Sequence, residues 1–224
     1  AIHGDAILKA GYSFTSCSVR GLSALEKGAI NMKDYKFVDL ILGKQYQTKM
    51  GPGGIKPLEF KTFPTYLQNA IKEYCEKGGN IFVSGAFVAS DLWDNHLTKA
   101  NDADKQFATD VLKYKWRVGQ AARTGKVKQV VSPVSEGNLH LTYFNELNPE
   151  SYVVESPDAI EPANKDAHTT FRYSENNLSA GVAYNGAYKT YILGFPFESV
   201  KTSDEREQLM KTILDFFSKE KAAE

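Results

Sequence analysis

Charge of one sign is the first thing this sequence lacks. Its 27 basic residues balance 27 acidic ones, for a formal net charge of zero. No bulk attraction to nucleic acid or to an anionic membrane follows from such a balance. No apolar run is long enough to cross a bilayer, so membrane insertion is not expected. Cysteine is scarce, with only Cys17 and Cys75. Two thiols cannot build a zinc site alone, and no histidine stands at ligand spacing from either. A disulfide needs Cα atoms within about 7 Å, which spacing cannot show, so two separate buried thiols is the simpler expectation. The histidines His3, His96, His140 and His168 are scattered, none at i+2 or i+4 from another. A phosphate-binding loop is missing too, because Gly51-Pro52-Gly53-Gly54 lacks the Gly-Lys-Ser/Thr ending. No metal and no cofactor is expected. The opening Ala1-Ile2-His3-Gly4 has neither a methionine nor a signal peptide, and reads as part of a longer or processed protein.

What is present suits one α/β domain. The 224 residues are 42% hydrophobic, enough for a normal core. Short helices are expected over 4–10 and 21–28. The run Phe37-Val38-Asp39-Leu40-Ile41-Leu42-Gly43 is apolar nearly throughout, as in a strand buried on both faces. A glycine-rich loop over 44–62 follows. Phe63, Leu67, Ala70, Ile71 and Tyr74 then recur at helical spacing, and Gly78-Gly79 stops that helix. Ile81-Phe82-Val83 reads as a second buried strand, completing a strand–helix–strand unit. A helix is expected over 107–116. From Lys126 the pattern turns to short strands, over 126–131, 139–144, 152–155 and 169–173. The Asn185-Gly186 pair between two apolar runs predicts a hairpin with a type I′ turn. Thr202 and Glu205 form a capping box before the last amphipathic helix.

Candidate site residues lie where the strands end. The turn Val83-Ser84-Gly85-Ala86-Phe87-Val88 leaves a buried strand, at the edge where open α/β sheets place ligands. Ser84 does not fit the serine-hydrolase elbow, because Phe82 stands where glycine should be. Phe195-Pro196-Phe197-Glu198 follows a second apolar strand. Glu198 there is expected to cap amides or pair with a base such as Arg206. Asp91, Asp94, Asp102 and Asp104 form an acidic stretch without an EF-hand pattern, and a solvated loop is the default. Trp93, Trp116, Tyr143 and Tyr188 are aromatics able to stack on sugar rings, or simply core.

These segments resemble a known family. Asp39 to Gln45, Gly78 to Gly85 and Gly194 to Glu198 together are similar to the amidotransferase-like domain of large secreted Bacteroides-type xanthan lyases. The resemblance covers roughly Ala10 to Lys219. In class I glutamine amidotransferases the elbow reads roughly Gly-Ile-Cys-x-Gly and the late loop Gln-Phe-His-Pro-Glu. On that frame Ala86 stands at the nucleophilic cysteine and Pro196 at the histidine, while Glu198 remains. The resemblance implies a flavodoxin-like three-layer α/β sandwich, its central sheet mostly parallel, with extra antiparallel strands in the C-terminal half. It implies a single domain that has lost amidotransferase chemistry, in a secreted, extracellular or periplasmic polysaccharide-processing protein. The expected ligand pocket comprises Gly43, Ser84, Gly85, Ala86, Phe87, Phe195, Pro196 and Glu198. Partners would be polysaccharide or other domains of the same chain. The competing expectation is an active lyase or hydrolase, with Asp91 and Glu198 as acid and base and Ser84 a weaker candidate.

Overall fold

Seven strands make the main sheet of the computed structural model, which describes residues 1–18, 30–49, 51, 58–97 and 101–220. In chain order they are β1 (Phe37–Gly43), β2 (Asn80–Gly85), β3 (Lys126–Gln129), β4 (His140–Thr142), β5 (Ala167–Tyr173), β6 (Ser179–Asn185) and β7 (Lys189–Leu193). Their order across the sheet is β1-β2-β7-β6-β5-β3-β4. Only β1/β2 and β2/β7 are parallel. The pairings β7/β6, β6/β5, β5/β3 and β3/β4 are antiparallel.

The expected flavodoxin-like sandwich with a mostly parallel sheet is therefore corrected to a mixed sheet with an antiparallel majority. Connection length is the reason. A parallel crossover takes a dozen or more residues. The links from Tyr173 to Ser179 and from Asn185 to Lys189 are far shorter, so they turn the chain straight back.

Among the described residues four helices of two turns or more pack on the sheet: α1 (Ile2–Lys9), α2 (Thr65–Glu76), α3 (Asp102–Gln106, continuing as π-helical turns over Phe107–Leu112) and α4 (Ser203–Ser218). Alternation along β2 and β7 divides the core. Ile81, Val83 and Ile192 face Leu67 and Ile71 of α2 and Leu112 of α3. Phe82, Tyr191 and Leu193 face Leu209, Ile213 and Phe216 of α4. Burying such side chains at roughly 1.5–3 kcal/mol each is the main force holding the layers together. The capping box is present, with Thr202 Oγ1 accepting from the Glu205 amide and the Glu205 carboxylate accepting from Thr202.

Local expectations are corrected in several places. The helix expected to reach Trp116 ends at Leu112, because Lys113 turns left-handed at φ 68°. Tyr114–Val118 is instead a strand paired with Ala159–Pro162. Residues 152–155 are irregular rather than a strand. The β6–β7 link is a three-residue loop over 186–188, closed by the pair Asn185 and Lys189, and Gly186 has no positive φ. The Tyr184 ring lies over Gly186, where a Cβ would stand 2.0 Å from its hydroxyl and the tyrosine side chain would have to shift. The helix expected over 21–28 lies outside the described residues.

Candidate functional site

Asp39 is the one charged residue in β1, and its partner comes from far away in the chain. The first helix buries His3, Gly4 and Ala6 against the sheet, and the ring of Phe14 covers the bare Cα of Gly4. His3 thereby reaches β1. Its Nδ1 donates to Asp39 Oδ2 at 2.7 Å, and its Nε2 donates to Glu198 Oε2 at 3.1 Å. The Tyr152 hydroxyl donates to the other oxygen of Glu198 at 2.7 Å. The ring of Phe197 lies 4.5 Å from that of His3, centroid to centroid. Gly43 closes the group at φ 53°, where a Cβ would stand 3.2 Å from Glu198 Oε1 and 3.3 Å from the Tyr152 hydroxyl.

Electrostatics fix the protonation of this cluster. Burial alone would lower the His3 pKa, but the charge of Asp39 and the bonds to Asp39 and Glu198 outweigh it and raise it to about 9. Burial pushes the Glu198 carboxyl up, yet the hydrogen bond and charge of His3 and the Tyr152 hydroxyl pull it below the usual range. Burial, then the charge of Glu198, drive the Tyr152 phenol well above its ordinary value. His3 at neutral pH is thus an imidazolium with both N–H groups engaged. It has no lone pair to act as a base. The arrangement is an ion-pair clamp tying α1, β1 and the turn at Phe197–Ser199 together.

The expected pocket residues are buried or half-buried at the strand ends. The Ala86 amide donates to Gly43 O at 2.8 Å. Ser84 is fully buried, and its hydroxyl has no hydrogen-bond partner among the described residues. Gly85 packs so tightly that a Cβ would meet Leu42 Cβ at 2.8 Å. Ala86, Phe195, Pro196 and Phe197 are buried, with Phe195 stacked on Tyr143 at 5.5 Å. Phe87 is half-buried against Tyr46. The segment around Tyr152 crosses these strand ends, held by Lys44 Nζ donating to Val153 O at 2.9 Å and by the Lys44–Glu155 ion pair.

Asp91 lies apart from this cluster and is only 3% exposed. It accepts from the Gln47 and Thr62 amides, the Thr62 hydroxyl and the Asn95 side chain, so it pins two loops. Asp104 takes Lys61 and Gln68, and Asp102 sits exposed, so the acidic stretch does not converge. Both cysteines are free, Cys17 exposed and Cys75 buried. Burial pushes the Cys75 thiol up to about 12, which makes it inert. None of Trp93, Trp116, Tyr143 and Tyr188 is an exposed platform.

Sequence reasoning missed His3 and Tyr152. Glu198 was expected to cap amides or pair with a base such as Arg206; its base is His3, and Arg206 donates to the carbonyls of Val200 and Lys201. The available signal was Asp39 itself, since a carboxylate inside a buried strand requires a partner.

No family model and no curated protein matches this chain. Among solved structures, a β-galactosidase from Rahnella sp. R3 aligns with a TM-score of 0.54 and 8% identity, over 96% of this chain and 26% of that one. An exo-β-1,4-mannosidase, Op5Man5 from Opitutaceae bacterium strain TAV5, aligns at 0.43 and 10%, over 84% of this chain and 25% of that one. The mmIFT52 N-terminal domain aligns at 0.44 and 14%, over 90% and 91%. The chain spans about a quarter of the two glycosidases it matches. At such identities the likeness is one of fold alone, and only the first carries weight: this chain shares its fold with one part of a glycoside hydrolase.

Proposed function

We propose that this chain is a non-catalytic scaffold or binding domain of a larger, secreted polysaccharide-processing protein. One observation carries the reading: the acid–base cluster built around His3 holds both of its ring nitrogens on carboxylates. Catalysis by such a histidine needs a free nitrogen facing a nucleophile. Among the described residues no hydroxyl or thiol is hydrogen-bonded to His3, and Ala86 and Pro196 carry no reactive group. The fold shared with about a quarter of a β-galactosidase chain supports a role as one part of a carbohydrate-active protein. The alternative, a lyase or hydrolase using Asp91 and Glu198, lacks support, because each carboxylate has its own separate donors.

The test is turnover by the folded protein. Xanthan and related uronic acid polysaccharides are followed at the ultraviolet absorbance of the unsaturated sugar, and β-galactosides and β-mannosides by released sugar. The expected result is no product. Product from the wild type that disappears in Glu198→Gln or Asp91→Asn, with the variants still folded by circular dichroism, would replace the scaffold reading with a catalytic one.

A further inference from the structure

Helix α1 buries little apolar surface. Of its eight residues, His3, Gly4 and Ala6 are buried. Ile2 and Leu8 point outward at 38% and 57% exposure, which leaves Ala6 and the half-buried Ile7 as apolar anchors. A helix this short is marginal in water without packing. Lys9 holds it only at the surface, donating to Ser203 Oγ at 2.9 Å and pairing with Asp5 and Glu207 at 3.6 and 3.8 Å. The buried anchor is His3 between Asp39 and Glu198. That position offers two acceptors, so it needs two donors. An imidazolium has two N–H groups; a neutral imidazole has one N–H and one lone pair. Whichever tautomer forms, loss of the proton turns a lone pair toward a carboxylate. A hinge is also in place. Gly11 follows the helix at φ 88°, and the Gly11 and Tyr12 amides close it onto Leu8 O and Ile7 O. Tyr12 beyond it is fixed, its ring against Phe37 and its hydroxyl 2.8 Å from Ser218 Oγ.

We propose that α1 is a releasable latch, which swings off the sheet about Gly11 as a unit when His3 loses its proton, while the sheet and the other helices stay folded. Poorly packed segments open locally ahead of global unfolding, and here the buried hold depends on charge. The groups around the ring are Asp39 from β1, Glu198 from the turn at 197–199 and Tyr152 from the loop crossing the strand ends. The neighbouring Phe82 and Phe197 rings carry no charge. α4 meets α1 with Ser203 and Glu207, which take Lys9, and the segment after α1 brings Tyr12, which is held on Ser218. Asp5 and Lys9 are the other charged groups of α1 itself. The hold is complete below pH 6.5, weakens as pH rises and is gone beyond about 9. Across that window the docking constant of α1 falls by roughly 300-fold. The latch goes beyond the scaffold reading and does not depend on it.

The probe is a nitroxide on Leu8→Cys, an exposed position, in a Cys17→Ser background; Cys75 is buried and stays unlabelled. Its mobility is followed from pH 6 to pH 10, with near-ultraviolet circular dichroism reporting on the rest of the fold. The expected result is a slow spectrum at pH 6 and a reversible fast component with a midpoint between pH 6.5 and about 9, the dichroism unchanged. Two variants separate the latch from general loosening. His3→Gln cannot bridge both carboxylates and should be fast at every pH. Glu198→Gln should do the reverse and stay slow to pH 10. Its amide N–H can donate to the lone pair of a neutral His3, and its carbonyl still accepts from Tyr152. A wild-type label that is already fast at pH 6, or that stays slow until the dichroism is lost, overturns the proposal. So does a midpoint retained in His3→Gln, or release of Glu198→Gln at the wild-type pH.

Discussion

His3 and Glu198 meet at 3.1 Å across 195 residues of sequence, so the first helix and the loop after the last strand are joined by one charged hydrogen bond. Asp39 holds the other side of the ring at 2.7 Å. The His3 pKa is raised from 6.5 to about 9 in the fold. A raised histidine pKa contributes stability fully below the unfolded value and loses it as pH climbs through the folded one. The clamp is therefore fully effective below pH 6.5 and is lost as pH passes about 9. At about 1.4 kcal/mol per unit, the effect is on the order of 3 kcal/mol. His3→Gln should be markedly less stable than wild type in urea at pH 6, with the gap shrinking toward pH 10. A gap that stays constant over that range would show that His3 is not held as an imidazolium.

Asp158 titrates with the opposite consequence. It is fully buried, and desolvation pushes its carboxyl up to about 7 despite hydrogen bonds from the Ser90 and Ala89 amides and the Ser90 hydroxyl. A carboxyl whose folded pKa exceeds its unfolded value of 3.8 takes up a proton on folding. It costs stability progressively as pH rises from about 4 to beyond 7. Asp158→Asn keeps an oxygen for the three donors and removes the charge. The variant should match wild type near pH 4 and exceed it by a few kcal/mol at pH 8. Equal pH dependence in the two proteins would contradict this assignment.

Lys189 is fully buried at the start of β7. Its ammonium donates to Phe216 O and Lys219 O, each at 2.7 Å, and lies 5.0 Å from the centre of the Phe216 ring. It thus satisfies carbonyls at the end of α4 that have no partner within the helix, and its charge complements the helix dipole. Lys189→Met keeps the length and apolar stem but strips those carbonyls. The expected loss is about 2–3 kcal/mol, with faster hydrogen exchange over the last turn of α4. A loss below about 0.5 kcal/mol would mean that water replaces the ammonium without penalty.

The parts of the fold legible in sequence are those set by local patterns. The α2 periodicity, the buried run of β2, the β6–β7 hairpin and the Thr202–Glu205 box all depend on residues within one element or its neighbours, whereas β1, expected to be a central strand buried on both faces, lies at the end of the sheet with Ile41 exposed. The hairpin itself argued against a mostly parallel sheet, since its short link forces β6 and β7 to be antiparallel. The site was harder. Asp39 was visible in β1, but nothing local says that His3, 36 residues away, supplies the partner. Packing of α1 on the sheet decides that, and it depends on side chains as distant as those of α4. Likewise Asp91 looked like an acid at a strand end, and only the tertiary contacts with Gln47 and Thr62 reveal a loop anchor.

Gly194 and Gly119 make a paired test of the packing beneath the strand ends. At Gly194, just after β7, an added Cβ would stand 2.1 Å from Asp158 O, a backbone atom that cannot swing aside. The Gly194 N–H donates to Ala180 O, and its carbonyl accepts from the Asp158 amide, so the backbone is held on both sides. At Gly119 the nearest atom to an added Cβ is Asp158 Oδ1 at 3.7 Å, an ordinary contact. Gly194→Ala should therefore cost about 3 kcal/mol or more through overpacking, whereas Gly119→Ala should stay within about 1 kcal/mol of wild type. Both are read from urea unfolding at pH 6. The strained variant should also lose the Tyr173 hydroxyl bond to Asp158 O, now 2.7 Å, because Asp158 O must move. Equal stabilities for the two variants would mean that the strand end at Gly194 has room to yield, and with it the sealed arrangement around Phe195 and Phe197.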